Sequence, residues 1–246
     1  MRNGVLVMRA VIVACHTISD EVNKVIEEEG IDYPVIWIES GLHNFPDTLR
    51  EKLQEQINRI SNVDYIILAY GYCGNALLGI YSNNARLIIP RVDDCISLLL
   101  GSYQRRETLS KELGTYFLTR GWVENENNII KEYLRCVERY GEKQAERVMK
   151  IMLEHYRRLV LIDTGAYPLD DKCFDQSYDF AEKVGLGYQT EPGSLDLLKK
   201  LLAGPWDDDF VVLQPGDPLS MNNFRMDLLD SAANLNLFGF GKGSER

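Results

Sequence analysis

Three cysteines of the 246-residue chain come shortly after apolar segments. Cys15 directly follows the apolar residues Val11–Ala14, Cys73 comes after the segment that ends at Ala69, and Cys95 comes after Pro90. Thiolates bind soft metals, and a catalytic zinc ion keeps one open position beside three protein ligands. Three cysteines can also hold a 4Fe–4S cluster that leaves one iron open. The sequence therefore predicts a site for Zn²⁺ or an iron–sulfur cluster, with the choice between them open.

Two other interpretations of these cysteines stay open. Cysteine is among the residue types that are most often buried, so all three thiols could be structural. Alternatively, Cys73 could be a covalent nucleophile with His16 or His43 as its base. Gly71 and Gly74 flank Cys73 and would let the backbone approach a ligand closely. We also expect a helix after Cys73, whose first N–H groups would lower the pKa of the thiol, and we expect the same effect at Cys95.

The elements that must position these residues alternate between apolar segments and helical periodicity. This pattern predicts an α/β fold with a mostly parallel sheet and flanking helices, similar to a Rossmann fold. The predicted strands are 5–14, 33–38, 64–69, 86–90, 114–119, 159–163, 186–190 and 210–213. We expect residues 1–246 to form a single α/β domain. Two helices within 126–156 interrupt the alternation as a possible helical insertion, and residues 215–246 are expected to form a loose C-terminal tail.

Ligands of open α/β sheets bind outside the carboxyl ends of the strands. If the strands are parallel, the three thiols lie at one edge of the sheet. The possible further ligands or substrate-binding residues at this edge are His16, His43, Asn75, Asp94 and Asp163. Cys136 and Cys173 fall within helical patterns and are expected to be structural. Residues 101–107 could place Tyr103, Arg105 and Arg106 near this edge, but a solvated helix face is the favoured interpretation of this segment.

Composition excludes several classes of function. The formal net charge is −10, which argues against a nucleic-acid-binding protein. No apolar segment approaches the about 20 residues that span a bilayer, so we expect no membrane insertion. Five cysteines are an odd and small number, which disfavours a disulfide framework and is typical of a cytoplasmic protein.

Five short segments together resemble the DUF1638 family. They are ACH at 14–16, LHN at 42–44, AYGYCGN at 69–75, RLIIPRVDDCISLLLGS at 86–102 and GTYFLT at 114–119. The resemblance extends over roughly residues 10–215 and implies an α/β protein of bacteria and archaea without an established activity. It also implies one shared site, because members often carry cysteine at the positions of Cys15, Cys73 and Cys95. Many members have histidine directly before the third cysteine, where this chain has Asp94.

Some relatives of this family lie near corrinoid-dependent methyltransferase systems. The function predicted from the residues and the resemblance together is therefore a cytoplasmic metal-binding protein with a small-molecule ligand, with thiol or one-carbon (methyl) transfer as its candidate enzymatic activity. The alternatives are a cysteine-nucleophile enzyme and a non-catalytic, cofactor-binding accessory of a corrinoid methyltransferase system.

Overall fold

The computed structural model describes residues 8–170 and 172–223. The strands are β1 (Ala10–Cys15), β2 (Val35–Ile38), β3 (Tyr65–Ala69), β4 (Arg86–Pro90), β5 (Thr115–Leu118), β6 (Arg158–Asp163), β7 (Gly187–Pro192) and β8 (Phe210–Leu213). The helices are α1 (Ser19–Glu29), α2 (Pro46–Arg59), α3 (Cys95–Leu100), α4 (Tyr103–Glu112), α5 (Arg120–Glu124), α6 (Ile129–Tyr140), α7 (Glu142–Met152), α8 (Asp175–Val184) and α9 (Asp196–Ala203). The prediction of an α/β fold with flanking helices and mostly parallel strands is confirmed. Among the described helices, none combines the length and the apolar character that crossing a bilayer requires.

The first sheet has the strand order β2-β1-β3-β4-β8. The first four strands are parallel, and β8 pairs antiparallel with β4 at one edge. Residues 10–14 of β1 and 66–69 of β3 are buried on both faces of the sheet, because α1 and α9 pack on one face and α2 on the other. Burial on both faces explains why these strands are continuous apolar segments in the sequence.

A second sheet, of order β5-β6-β7, contains parallel strands only. The helix pair that the sequence suggests as an insertion lies in the connection from β5 to β6, as α6 and α7. Both helices pack on this sheet through a core that includes Tyr133, Met149, Leu161 and Phe180. The strands thus form two sheets where the sequence suggested one, since periodicity identifies strands but does not say which of them pair.

The end of the described chain packs against the first sheet. The N–H of Leu219 donates to the carbonyl of Ile80, and the N–H of Gly79 donates to the carbonyl of Leu219, both at 2.8 Å. Leu219 is buried in the same core as α2. Of the predicted tail 215–246, residues 224–246 lie outside the described residues, as do residues 5–7 of the predicted first strand.

Candidate functional site

The three thiols line one cavity of about 530 Å³. Cys15 is the last residue of β1, and Cys73 and Cys95 lie in the segments that follow β3 and β4. These three strands are parallel neighbours, so their carboxyl ends meet at one edge of the sheet. The structure thus brings together Cys15, Cys73 and Cys95 from positions that are far apart in the sequence.

The loops that carry Cys73 and Cys95 are paired through their backbones. The N–H of Tyr72 donates to the carbonyl of Val92, and the N–H of Cys73 donates to the carbonyl of Asp93, both at 2.8 Å. A Cβ on Gly71 would lie only 2.4 Å from the Cα of Asp94. Gly71 is therefore required by the contact between the two loops.

Cys73 begins a run of three residues in the left-handed region of φ. The φ angles are 47° at Cys73, 61° at Gly74 and 77° at Asn75. A non-glycine residue in this region costs about 1–2 kcal/mol, so the loop holds Cys73 in a strained conformation. Residues 73–79 form turns, and the helix expected after Cys73 is absent from this described segment.

The thiols of Cys73 and Cys95 have pKa values far above the ordinary value. Burial is the main cause, followed at both thiols by the charge of Asp94. The expectation of lowered pKa values was wrong, because desolvation and a neighbouring carboxylate outweigh any effect of backbone N–H groups. Both thiols are therefore neutral near pH 7 when no metal is bound. The thiol of Cys15 donates a hydrogen bond to Oγ1 of Thr17 at 3.2 Å.

A buried tyrosine hydroxyl lies beside the three thiols. Tyr70 is 3% exposed, and burial, followed by the nearby Cys15 and Cys73 and, more weakly, Cys95, raises its pKa well above the ordinary value. Strict hydrogen-bond geometry gives its hydroxyl no partner among the described residues, but the thiol of Cys15 lies close enough to contribute a weak hydrogen bond to this rise in pKa. A buried hydroxyl without a full hydrogen bond is costly, so this group marks a position where a bound molecule would gain a hydrogen bond.

Asp93 and Asp94 form a compact charged cluster with Arg106 at the cavity wall. Oδ1 of Asp94 accepts from the N–H of Ser97 at 2.9 Å and so caps α3, while its Oδ2 lies 3.0 Å from Nη2 of Arg106. Nε of Arg106 lies 3.5 Å from Oδ2 of Asp93. Burial and the charge of Asp94 raise the pKa of Asp93 to about 7. One carboxylate oxygen of Asp94 therefore caps α3, and the other pairs with the guanidinium of Arg106.

Arg106 lines the cavity, which agrees with the less favoured interpretation of residues 101–107. Its side chain is 20% exposed, so the expected solvated face of residues 101–107 is wrong at this position. The available signal was the acidic pair before Cys95, because two buried carboxylates require a cation nearby.

The structure divides the other candidate residues into two groups. His43, Asn75 and Asp94 line the cavity with the thiols. His16 does not line it, since its side chain is exposed and packs edge-on against Trp37 with ring centroids 5.8 Å apart. Asp163 does not line it either, because it ends a strand of the second sheet, and its Oδ1 accepts from the N–H of Gly165 at 3.0 Å.

Aromatic residues from the second sheet and its connections complete the cavity. Tyr116 on β5, Trp122 on α5 and Tyr156 before β6 all line it. Tyr116 and Tyr156 pack edge to face with ring centroids 5.4 Å apart, and His43 packs on Trp122 at 4.7 Å. Burial lowers the pKa of His43, which favours its neutral form. No sequence pattern indicated that β5 would face the ends of β1, β3 and β4.

Glu21 on α1 is a buried acidic residue that the sequence analysis missed. It is 1% exposed and accepts a hydrogen bond from Oγ1 of Thr164 at 3.1 Å. Burial raises the pKa of Glu21 to about 7. Its charge also contributes weakly to the raised pKa of Cys95, which places it near the thiols.

The metal itself stays a prediction. In residues 8–170 and 172–223, no three or more side chains of His, Cys, Asp or Glu form a ready-made metal-ligand group. None of the five cysteines, all of which lie within the described residues, forms a disulfide bond. Cys136 and Cys173 pack against the core of the second sheet and do not line the cavity.

Comparison with known proteins identifies a family. A family model described as a protein of unknown function (DUF1638) matches residues 37–202, which is more than half of the chain. Cys73 and Cys95 lie within the matched range, and Cys15 lies before it. No curated protein and no solved structure matches the chain. The chain belongs to the DUF1638 family.

Proposed function

We propose that Cys15, Cys73 and Cys95 bind a soft metal centre, either Zn²⁺ or a 4Fe–4S cluster, in a cavity that also takes a small molecule. The observation that carries this proposal is that three thiols from three neighbouring parallel strands line a single cavity. Thiolate is the ligand type that these metals prefer, but no three or more His, Cys, Asp or Glu side chains of the described residues are placed as metal ligands, so binding would have to draw the three thiols together. The buried hydroxyl of Tyr70 beside the thiols gives further support, because it could donate a hydrogen bond to a molecule bound there.

The chain's own residues determine the proton balance of binding. Cys73 and Cys95 are neutral thiols near pH 7, and each must lose its proton to become a ligand. The affinity for metal should therefore rise with pH. Asp93, Asp94 and Arg106 hold the loops of these two cysteines in place through the cap of α3 and the paired charges.

The proposed reaction class is activation of a substrate thiol, with methyl transfer as one use. A zinc ion held by these three cysteines would act as a Lewis acid and would ease the deprotonation of a thiol or water bound beside it. The cavity volume of about 530 Å³ is suitable for a small ligand. A partnership with a corrinoid methyltransferase system and a cytoplasmic location stay predictions from the family resemblance and the cysteine usage.

A covalent nucleophile at Cys73 is the second candidate. Its strained φ of 47° favours a functional role for this residue. However, an activated cysteine has a lowered pKa, whereas burial and Asp94 raise the pKa of Cys73. The metal proposal is therefore preferred, because a metal ion would deprotonate these thiols itself.

The test is the metal content of the full chain purified without oxygen. The variants Cys15→Ser, Cys73→Ser and Cys95→Ser remove one thiolate each, and Cys136→Ser is the matched control outside the cavity. Elemental analysis should find zinc or iron in the wild type and in Cys136→Ser. An iron–sulfur cluster would also absorb near 400 nm.

Each cavity variant should lose most of its metal while its circular dichroism stays close to that of the wild type. Serine is similar in volume to cysteine but is a poor ligand for soft metals. Full metal retention in Cys73→Ser would overturn the proposal. Loss of metal in Cys136→Ser, with the fold intact, would show that the wrong thiols were chosen.

A further inference from the structure

The thiol of Cys15 begins a chain of hydrogen-bonded side chains that connects the ends of two strands. Its S–H donates to Oγ1 of Thr17 at 3.2 Å, and the hydroxyl of Thr17 donates to Oγ of Ser40 at 3.1 Å. Cys15 ends β1 and Ser40 follows β2, and these strands are parallel neighbours in which Cys15 pairs with Ile38. The chain therefore lies at the edge of the first sheet that carries the cavity.

The backbone of Thr17 is held in place by α5. A Cβ on Gly121 would lie 2.1 Å from the carbonyl oxygen of Thr17 and 2.8 Å from its carbonyl carbon, so glycine is required for this approach. Thr17 is 4% exposed, and its β-branched side chain is restricted in rotation about χ1. Its hydroxyl is therefore a fixed partner for the thiol of Cys15.

Packing alone does not explain a threonine at this position. Valine would fill nearly the same volume, and burying a hydroxyl costs free energy unless the hydroxyl makes hydrogen bonds. The hydroxyl of Thr17 makes two, since it accepts from Cys15 and donates to Ser40. Because Cys15 and Thr17 both line the cavity, these hydrogen bonds fix the direction of a thiol at the cavity wall.

The same chain can act on the sulfur when Cys15 binds a metal ion. The proton of the thiol then passes to the solvent, and the sulfur becomes an acceptor. The hydrogen of a hydroxyl rotates, so Thr17 can turn to donate to the sulfur while Ser40 donates to Thr17. A hydrogen bond to a charged acceptor is stronger than one between neutral groups. The buried hydroxyl of Tyr70 also lies close to this thiol and is a second donor for the same sulfur.

We propose that Thr17 is a positioning residue for Cys15, because its hydroxyl, backed by Ser40, fixes the direction of the thiol and donates to the sulfur once a metal ion is bound. The effect on metal binding rests on the proposed function, whereas the direction of the metal-free thiol rests on the hydrogen bonds alone. Partners of this kind behind metal ligands are worth about 10–100-fold in metal affinity.

The experiment compares Thr17→Val with Thr17→Ser in the full chain. Valine keeps the volume and the branching and removes the hydroxyl, whereas serine keeps the hydroxyl and removes the methyl group. The affinity for Zn²⁺ is measured on metal-free protein by competition with a chromophoric chelator. Thr17→Val should bind Zn²⁺ about tenfold more weakly than the wild type, and Thr17→Ser should stay within about twofold of it. Thr108→Val is the control and should leave the affinity unchanged, because Thr108 lies exposed on α4 and does not line the cavity.

Infrared spectroscopy of the reduced, metal-free protein tests the hydrogen bond without any metal. A thiol that donates a hydrogen bond has a lower S–H stretching frequency than a free thiol, because donation weakens the S–H bond. The variant Cys15→Ser removes the band of this thiol and so assigns it. The band should move to higher frequency in Thr17→Val and stay in place in Thr17→Ser. If Thr17→Val does not fold, Ser40→Ala interrupts the chain one step further out and should cause smaller changes in the same directions.

An unmoved S–H band in Thr17→Val would overturn the inference, and so would equal Zn²⁺ affinities for this variant and the wild type. Weaker binding by Thr17→Ser than by Thr17→Val would also overturn it, because the methyl group and not the hydroxyl would then matter. The metal proposal fails separately. If the wild type binds no Zn²⁺ up to about 1 mM but the band moves, the metal site fails and the positioning of the thiol stands. If the wild type binds Zn²⁺ but neither the band nor the affinity changes, the metal site stands and the role of Thr17 fails.

Discussion

Replacing Gly71 with alanine should force apart the two loops that carry Cys73 and Cys95. The new Cβ would lie 2.4, 2.5 and 2.6 Å from the Cα, N and C atoms of Asp94, whereas ordinary contacts begin near 3.4 Å. All three atoms belong to the backbone, so no side-chain rotation relieves the overlap. The loops must separate by about 1 Å, and the cap that Asp94 provides to α3 moves with them.

The cost follows from the contacts that this separation weakens. The two backbone hydrogen bonds between the loops, at 2.8 Å each, contribute about 1 kcal/mol apiece. Overpacking of a close contact costs about 1–3 kcal/mol. Since the hydrogen bonds would be weakened and not fully lost, we expect Gly71→Ala to lower the free energy of unfolding by about 3 kcal/mol.

Urea denaturation followed by circular dichroism measures this change, and Gly187→Ala is the control. A Cβ on Gly187 would meet its nearest atoms at 3.6 Å, which is ordinary contact. The control should lie within about 0.5 kcal/mol of the wild type. Equal unfolding midpoints for the two variants would refute the close contact between these loops, and with it the geometry assigned to Cys73 and Cys95.

Three further predictions concern titration and charge. Glu21→Gln should be more stable than the wild type by about 3 kcal/mol at pH 8 and similar to it near pH 4, because the folded protein raises the pKa of this carboxyl from 4.5 to about 7. The stability that protonated Glu21 provides is complete below pH 4.5 and lost as the pH rises through 7, so urea melts at several pH values should show a flatter profile for the variant. In metal-free protein, Cys73 and Cys95 should react with iodoacetamide slowly at pH 7 and faster only well above pH 9. Mass spectrometry of the labelled peptides measures these rates, and rapid labelling at pH 7 would contradict the neutral state of the two thiols. Arg106→Met should lower the free energy of unfolding by about 3 kcal/mol at pH 8, since it leaves two carboxylates without their cation. Nη2 of Arg105 donates to the carbonyl of Pro192 at 2.6 Å, and Arg105→Met should lower the free energy of unfolding by less. Similar losses of stability in both variants would refute this account.

Much of the fold could be predicted because burial on both faces leaves a clear trace in the sequence. The strand at 86–90 and the strand at 210–213 have the predicted bounds, and β3 begins one residue later than predicted. The edge of the sheet that carries the cysteines was also predictable, because neighbouring parallel strands place their carboxyl ends together. The position of Cys15, Cys73 and Cys95 on one cavity follows from that rule.

The remainder depends on contacts between distant segments, which periodicity does not encode. The division into two sheets removed Asp163 from the cavity, because the strand that it ends pairs with β5 and β7. The same division brought in Tyr116 and Trp122. The ionisation of Cys73 and Cys95 depends on burial and on the nearby Asp94, and neither quantity can be read from the spacing of residues along the chain.

The cavity is assembled from two separate stretches of sequence with different chemistry. All three thiols lie between residues 15 and 95, and the aromatic residues that the second sheet and its connections contribute lie between residues 116 and 156. Substitutions in the later stretch can therefore change the shape and polarity that a ligand meets without replacing any of the thiols. This separation would let the wall of the cavity change during evolution around a constant set of thiols, and it gives protein engineers a segment to exchange while the cysteines stay in place.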